Sequence, residues 1–291
     1  MERTDALRRF DREYRQHPGP IPGARVERGR GYVRSVGSEN VVLWFDLAVR
    51  GAQDLVDEQV RYFDARAVPF EWKVYEHDRA GDLADRLVAA GFTPAPAETL
   101  MIRDLGGPLP EPPRPPGVTI RRVASEREFE EFAQVTTAAF EDDHASRIAD
   151  LRGRISDPAV ALFVAYVGGE PASTGRVELP PGASIAGLWG GGTVPRFRHR
   201  GLYRTLVAAR AELARSRGFR YVIVEAAETS RPILHRLDFT PLARVVGWNS
   251  PPLRRESRRR KARRGGEPSA KKDRDVEEAD LGGRRPSPSD R

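Results

Sequence analysis

The sequence predicts an α/β fold: a mixed sheet with helices on both faces, preceded by a smaller α/β unit. Three observations carry that prediction. Across residues 118–248, short runs rich in β-branched and aromatic residues alternate with segments whose apolar positions recur every three or four residues, the period of an amphipathic helix. A glycine-rich strand ending near Val194 leads through a basic turn into one such helix. Residues 1–105 show a shorter version of the same alternation ahead of a proline-rich connector.

The elements follow in order. Val118, Thr119 and Ile120 begin a strand, and Ser125 is placed to cap a helix whose stripe is Phe129, Phe132, Val135 and Ala139. A second helix is expected over 145–155, stopping before Pro158. Residues 161–166 read as a strand, Gly168 and Gly169 as its turn, and 172–178 as the returning strand. The helix after the basic turn, 202–217, carries Leu202, Leu206, Ala209 and Leu213 on one face and Arg204, Ala211 and Arg215 roughly opposite. Gly218 is its natural cap. Residues 221–224 are then a buried strand and 230–237 a short helix. In the N-terminal region, Trp44, Phe45 and Leu47, a helix near 54–65, a strand over 70–75, a helix over 83–90 and a strand over 99–102 form a small α/β unit.

Four segments result: an N-terminal unit 1–105, a connector 106–116, a main domain 117–250 and a tail 251–291. The connector holds six prolines in eleven residues, a composition that favours a stiff extended chain. The tail holds 14 Lys/Arg against 8 Asp/Glu, a net of +6, so nearly all of the +7 formal charge resides there. Too polar to offset its ordering entropy by burial, the tail is expected to be disordered. Its arginines suit weak, salt-sensitive nucleic-acid attachment or a solubilising role. The chain has no cysteine, which excludes disulfides, thiolate metal sites and a cysteine nucleophile; no metal is expected. With no long apolar run, the expectation is a soluble cytoplasmic protein, not a membrane one, as a monomer or homodimer.

The basic turn is the most informative stretch. A helix start leaves its first N–H groups unpaired and carries about half a positive charge. Arg196, Arg198, Arg200 and Arg204 surround that end, and Gly201 admits close approach to the backbone. The expected guest is a phosphate or pyrophosphate. No Gly-x-x-x-x-Gly-Lys-Ser/Thr is present, and the three consecutive glycines 190–192 lie inside the strand, where a dinucleotide-binding loop would not have them. A glycine-rich strand end leaves room for another backbone or an extended ligand.

Residues 118–248 resemble a GNAT-superfamily N-acetyltransferase domain. The hallmark Arg/Gln-x-x-Gly-x-Gly/Ala is met by Arg198-His199-Arg200-Gly201-Leu202-Tyr203, with Tyr203 departing at the last position, and Leu237-Asp238-Phe239 stands where the family has Leu-Gly-Phe. The resemblance implies transfer of an acetyl group from acetyl-CoA to a primary amine of a small molecule or protein. It implies that Gly192, Thr193 and Val194 hold the pantetheine arm, that backbone from Arg198 through Arg204 holds the pyrophosphate with Tyr203 crowding that turn, and that Thr229 and Ser230 touch the arm. The family's acid tyrosine falls on Leu234. Glu225, either a base through water or a capping or ion-pair residue, and His235, either catalytic or an ordinary surface histidine, are the substitute catalytic candidates. Glu141, Asp142 and Asp143, beside His144, fall in a segment that borders the acceptor site in the family, either attracting a cationic amine or forming an ordinary solvated loop. The missing tyrosine leaves a non-catalytic acyl-CoA-binding module as the alternative. The N-terminal unit repeats the strand–helix–Phe–strand order of 221–246 and resembles a degenerate half of the same fold without its phosphate turn.

Overall fold

The computed structural model describes residues 2–21, 23–107, 115–140 and 145–251. The basic tail from 252 onward, most of the connector and the Glu141–Asp143 triplet lie outside the described residues. The chain opens with α1 (Arg3–Phe10), which runs straight into a π-helical turn (Asp11–Gln16). Then come β1 (Ala24–Gly29), β2 (Tyr32–Gly37), β3 (Val41–Phe45), α2 (Ala52–Asp64), β4 (Glu71–Tyr75), α3 (Leu83–Ala89), β5 (Thr93–Pro94) and β6 (Glu98–Asp104). After the connector follow β7 (Val118–Arg122), α4 (Glu126–Ala139), α5 (Ala145–Arg152), β8 (Val160–Val167), β9 (Glu170–Glu178) and β10 (Ile185–Thr193). A 3-10 turn (Pro195–Phe197) leads to α6 (Leu202–Ser216), β11 (Tyr221–Ala226), α7 (Arg231–His235) and β12 (Thr240–Asn249).

Local chemistry explains the ends of the best-defined helices. Ser125 accepts from the Glu128 N–H at 3.3 Å while the Glu128 carboxylate reaches back to the Ala124 N–H at 2.9 Å, a reciprocal cap on α4. Gly201 (φ 78°) starts α6 and Gly218 (φ 85°) follows its end, both in the left-handed region that a side chain resists. α5 ends at Arg152, three residues short of the expected limit, and α7 covers only Arg231–His235.

All the strands join one sheet, in the order β1-β2-β3-β4-β12-β6-β11-β10-β9-β8-β7, with β5 paired to β12. The order reads alike from its centre outwards. On each side of the β12/β6 pair stands a strand that is parallel to its outer neighbour: β4 with β3 (Val41 opposite Glu71), and β11 with β10 (Ile185 opposite Tyr221). Antiparallel pairs complete both flanks. The 106–116 connector therefore does not divide the sheet. β6 leaves the N-terminal segment to pair with β11 (Leu100 opposite Glu225), and β12 leaves the C-terminal one to pair with β4 (Val245 opposite Tyr75). The two exchanged strands pair with each other at the middle, Leu100 opposite Ala243.

Side-chain alternation sorts the core onto two faces. One face of the C-terminal half, with Leu188, Val222 and Val224, packs under Leu202, Leu206 and Val207 of α6. The other, with Ile185, Ile223 and Leu100, packs against Ala6 and Phe10 of α1. α4 covers the outer part of that second face through Phe129 and Phe132. α2 and α3 cover the N-terminal half around the fully buried Trp72.

The N-terminal segment is pinned by a buried cation. Arg15, 2% exposed, donates to Asp78 through two nitrogens at 2.7 and 2.8 Å and to the Leu43 carbonyl at 2.8 Å, and lies 4.4 Å from the centre of the Tyr75 ring.

The exchange predicts that fragments 1–107 and 115–251, produced separately, each lack the strand that completes their sheet. Neither is expected to unfold cooperatively by circular dichroism, and mixing them is expected to restore a cooperative transition. Cooperative melting of either fragment alone would contradict the exchange.

Candidate functional site

β10 and β11 run parallel only as far as the pair Gly187 and Ile223, and beyond it no ladder joins them. The gap opens toward the start of α6. No side chain caps that helix, so its first N–H groups point outward unpaired. Arg196 is neutralised by Glu170. Arg198, Arg200 and Arg204 make no ion pair among the described residues; Arg198 instead donates to the Thr193 carbonyl at 3.2 Å. His199 has φ 63° and Gly201 φ 78°, so the chain turns twice through the left-handed region before the helix begins. This gives an exposed concavity of backbone N–H groups, a form suited to an anion.

Along β10, the Gly192 carbonyl accepts from Ser173 at 2.7 Å and the Val194 N–H donates to Ala172 at 3.0 Å, both on the β9 side. Alternation then leaves Thr193 as the residue whose backbone faces the gap. The glycine-rich end is not bare. A Cβ on Gly187 would fall 2.3 Å from the Trp189 indole, one on Gly191 2.7 Å from the Tyr203 ring, and one on Gly192 2.6 Å from the Phe140 ring. The space freed by the missing side chains is filled by the chain's own aromatics. Gly190 (φ 58°) carries the bulge that separates the two pairings with β9 on either side of it.

Tyr203 does not crowd the turn. Its ring lies inward on Gly191, with its hydroxyl toward Ser230 on the far lip of the gap. Burial raises its pKa, so it is a neutral phenol at pH 7. Beneath the bulge lies Arg210, 1% exposed, which donates to the Arg176 and Trp189 carbonyls at 3.1 Å each. Burial lowers its pKa to about 10.

The reverse face of the gap is charged. Glu225, its side chain 6% exposed, takes the Lys73 ammonium on one oxygen and the Tyr75 hydroxyl at 2.5 Å on the other. Two more carboxylates, Glu71 on β4 and Glu98 on β6, stand near this pair. Burial and the charge of Glu225 raise both, Glu98 to about 7. A cavity of about 200 Å³ opens beside Glu71 and Glu225, bounded by the N-terminal segment, α5, β4 and the ends of β9 to β11; Glu98 is not among the residues that line it. Glu71, Lys73, Glu225, Tyr14 and Trp189 line it. Tyr14 Oη and Trp189 Nε1 are buried with no hydrogen-bond partner among the described residues.

The other expected residues are scattered in their surroundings. Leu234 is 0% exposed in the core beneath α6. Its neighbour His235 is exposed, on the outer side of the one-turn α7. Thr229 is exposed, and Ser230 is half-buried with its hydroxyl donating to the Ala227 carbonyl at 3.0 Å. Arg147 and Asp150, on the helix that follows the Glu141–Asp143 triplet, line the cavity. Sequence reasoning missed Lys73, Tyr75, Glu98 and Tyr14. The one signal was that Lys73 is the only lysine before residue 261 in a chain rich in arginine.

A parallel strand pair parting at an uncapped, arginine-flanked helix start is the feature on which the C-terminal half is compared with known proteins. Residues 123–239 match the model of the acetyltransferase (GNAT) family. A mycothiol acetyltransferase from Thermomonospora curvata is 30% identical over 190 residues, covering 62% of this chain and 64% of that protein. The chain thus matches somewhat under two thirds of that curated relative. Among solved structures, a GCN5-related N-acetyltransferase from Kribbella flavida has a TM-score of 0.62 at 20% identity, over 86% of this chain and 94% of that one. A tandem GNAT protein from the clavulanic acid biosynthesis pathway has a TM-score of 0.53 at 17% identity, over 79% and 84% of the two chains. These two share the fold. Among the described residues no helix is long and apolar enough to cross a membrane.

Replacing Gly191 by valine would drive two methyl groups toward the Tyr203 ring. Gly191→Val is expected to cost about 1–3 kcal/mol of stability, read from denaturant unfolding. Adding Tyr203→Ala is expected to recover most of that loss. An additive double variant would show that the ring does not lie on Gly191.

Proposed function

We propose that the protein is an acetyl-CoA-dependent N-acetyltransferase whose acceptor is a small-molecule amine. The observation that carries this reading is the parting of β10 and β11 at the start of α6. The residues there fit a diphosphate: an uncapped helix end, a positive-φ glycine and three arginines with no carboxylate partner among the described residues. The backbone of 199–204, with Arg198, Arg200 and Arg204, would hold the diphosphate. Gly192, Thr193 and Val194 would line one lip of the gap, and Thr229 and Ser230 the other. Acetyl-CoA supplies an acetyl group activated as a thioester.

The chain's own residues then position the amine, exclude water and move protons. The cavity on the reverse face supports entry of the acceptor from the side opposite α6. Its walls include the N-terminal segment and α5, an enclosure suited to a small molecule rather than a protein surface. Glu71, whose carboxylate has no ion pair among the described residues, favours an ammonium, and the unsatisfied Tyr14 and Trp189 donors favour oxygen acceptors near it. Glu141, Asp142 and Asp143 precede α5 in the sequence, with His144 between, and would add to that attraction. Tyr203, a phenol kept protonated by burial and held between Gly191 and Ser230, fills the role that Leu234 cannot, as a proton donor at the gap. His235, exposed on α7, is left to solvent.

The same reading extends to the N-terminal unit as a degenerate repeat of the fold. The mirrored strand order supports it. In the β3–α2 connection the Asp46 carboxylate accepts the Ala48 N–H at 2.9 Å and Arg50 is paired with Glu58, so the start of α2, though also uncapped, lacks the unpaired arginines of the second unit.

Calorimetry with CoA and thiol release across a panel of amines test the proposal. Binding is expected for the parent protein, weakened at least tenfold in Arg198→Ala/Arg200→Ala. Tyr203→Phe is expected to keep CoA affinity and lower turnover by tenfold or more. Binding with no turnover on any amine would favour an acyl-CoA-binding module, and absence of binding would end the reading.

A further inference from the structure

Glu98 is the first residue of β6, the strand that the N-terminal segment inserts between β11 and β12. On β12 it faces Val245, and two positions along its strand Leu100 faces Glu225. Alternation puts the Glu98 side chain on the same face as Glu225, diagonal to it, at the end of the sheet where β10 and β11 have parted. The side chain is half-buried, and no hydrogen bond or ion pair joins it to another described residue.

Its surroundings divide the labour among three carboxylates. Lys73 is the one ammonium among them, and it is committed to Glu225, whose second oxygen holds Tyr75. Both oxygens of Glu225 are thus engaged. Glu71 lies over Gly247, where a Cβ would come 2.1 Å from its Oε1, and lines the cavity wall. Glu98 is left with open lone pairs. The charged and titratable groups that face it are Glu225 from β11, Glu71 and Lys73 from β4, and Tyr203 from α6, whose phenol feels the Glu98 charge. Glu98 thus stands on the Glu225 face, at the end of the sheet where β10 and β11 have parted, near enough to Tyr203 for the phenol to feel its charge. Burial first, then the charge of Glu225, raises its proton affinity to about neutrality, with Lys73 opposing.

We propose that Glu98, a residue of the N-terminal unit, is the base that takes the proton from the acceptor ammonium, with Glu225 as a positioning residue; this rests on the acetyltransferase reading above. One ammonium proton passes to the Glu98 carboxylate and from there to solvent. The freed nitrogen lone pair forms the C–N bond while the C–S electron pair stays on sulfur. The second nitrogen proton goes to that sulfur, relayed by the Tyr203 phenol, leaving an amide and a thiol. A base of near-neutral proton affinity matches this task at pH 7, and a lone unpartnered carboxylate at a cleft is where such a perturbation has functional meaning.

The experiment combines a titration that needs no turnover with kinetics. Carboxyl carbon NMR of glutamate-labelled protein is expected to show one signal titrating near pH 7, absent in Glu98→Gln. On the amine found active in the thiol-release panel, kcat/KM of the parent is expected to rise with pH through about 7. Glu98→Gln is expected to lose that limb and about a hundredfold in kcat, with CoA affinity by calorimetry unchanged, while Glu98→Asp keeps a limb and part of the rate. A Glu98 signal titrating below pH 5, or a Glu98→Gln variant that keeps the limb and turns over within threefold of the parent, would overturn the assignment. Failure of the parent to bind CoA would instead strike the acetyltransferase reading, whatever the titration shows.

Discussion

The pairing of β6 with β12 joins two halves that would otherwise be separate sheets, and everything else in the molecule is arranged around it. Each strand comes from one half and completes the other, so the hydrogen bonds at the centre belong to neither half alone. The arrangement brings Tyr75 and Lys73 of β4 within reach of Glu225 on β11. It delivers Glu98 to the same place from a strand more than a hundred residues away in sequence. The charged end of the gap is built from residues that only this pairing brings together.

Charge burial follows from the same geometry. A buried ion is costly unless its partners are well placed, and three of the buried arginines among the described residues solve this differently. Arg15 meets Asp78 and the face of Tyr75. Arg34 meets Glu27 and Gln59. Arg210 has no carboxylate and relies on backbone carbonyls, which is why its proton affinity falls while the bulge above it is held in place. A line of contacts runs from Arg15 in the N-terminal segment through Tyr75 to Glu225, linking the segment that walls the cavity to the carboxylate that faces it.

Local signals in the sequence were enough for much of the C-terminal half. The Ser125 and Glu128 cap, the Gly168–Gly169 turn and the pair Gly201 and Gly218 each act within a few residues, so their consequences are visible without knowing the fold. The strand–helix–strand order of β10, α6 and β11 was legible in the same way. β1 and β2 escaped notice because Arg34 and Ser35 are buried in the middle of β2, which hides its alternation. The strand exchange escaped for a different reason: a strand's pattern says which face is buried but not which strand lies beside it. The Glu71, Lys73, Glu98 and Glu225 group depends on that register, so no single stretch could announce it. The glycines of β10 were legible as close approaches, but what approaches them, Trp189, Tyr203 and Phe140, was set by side-chain directions from three elements.

One continuous sheet also constrains how the molecule could move. Two lobes linked by a flexible tether can swing apart like jaws to admit a guest; here such a motion would have to tear the ladder between β6 and β12. Entry and exit must instead be governed at the periphery, by the strip of chain around Arg15 and the helices flanking residues 141–144. Amide exchange should then be slowest along the seam between the halves, with the breathing that lets molecules in and out concentrated at the rim.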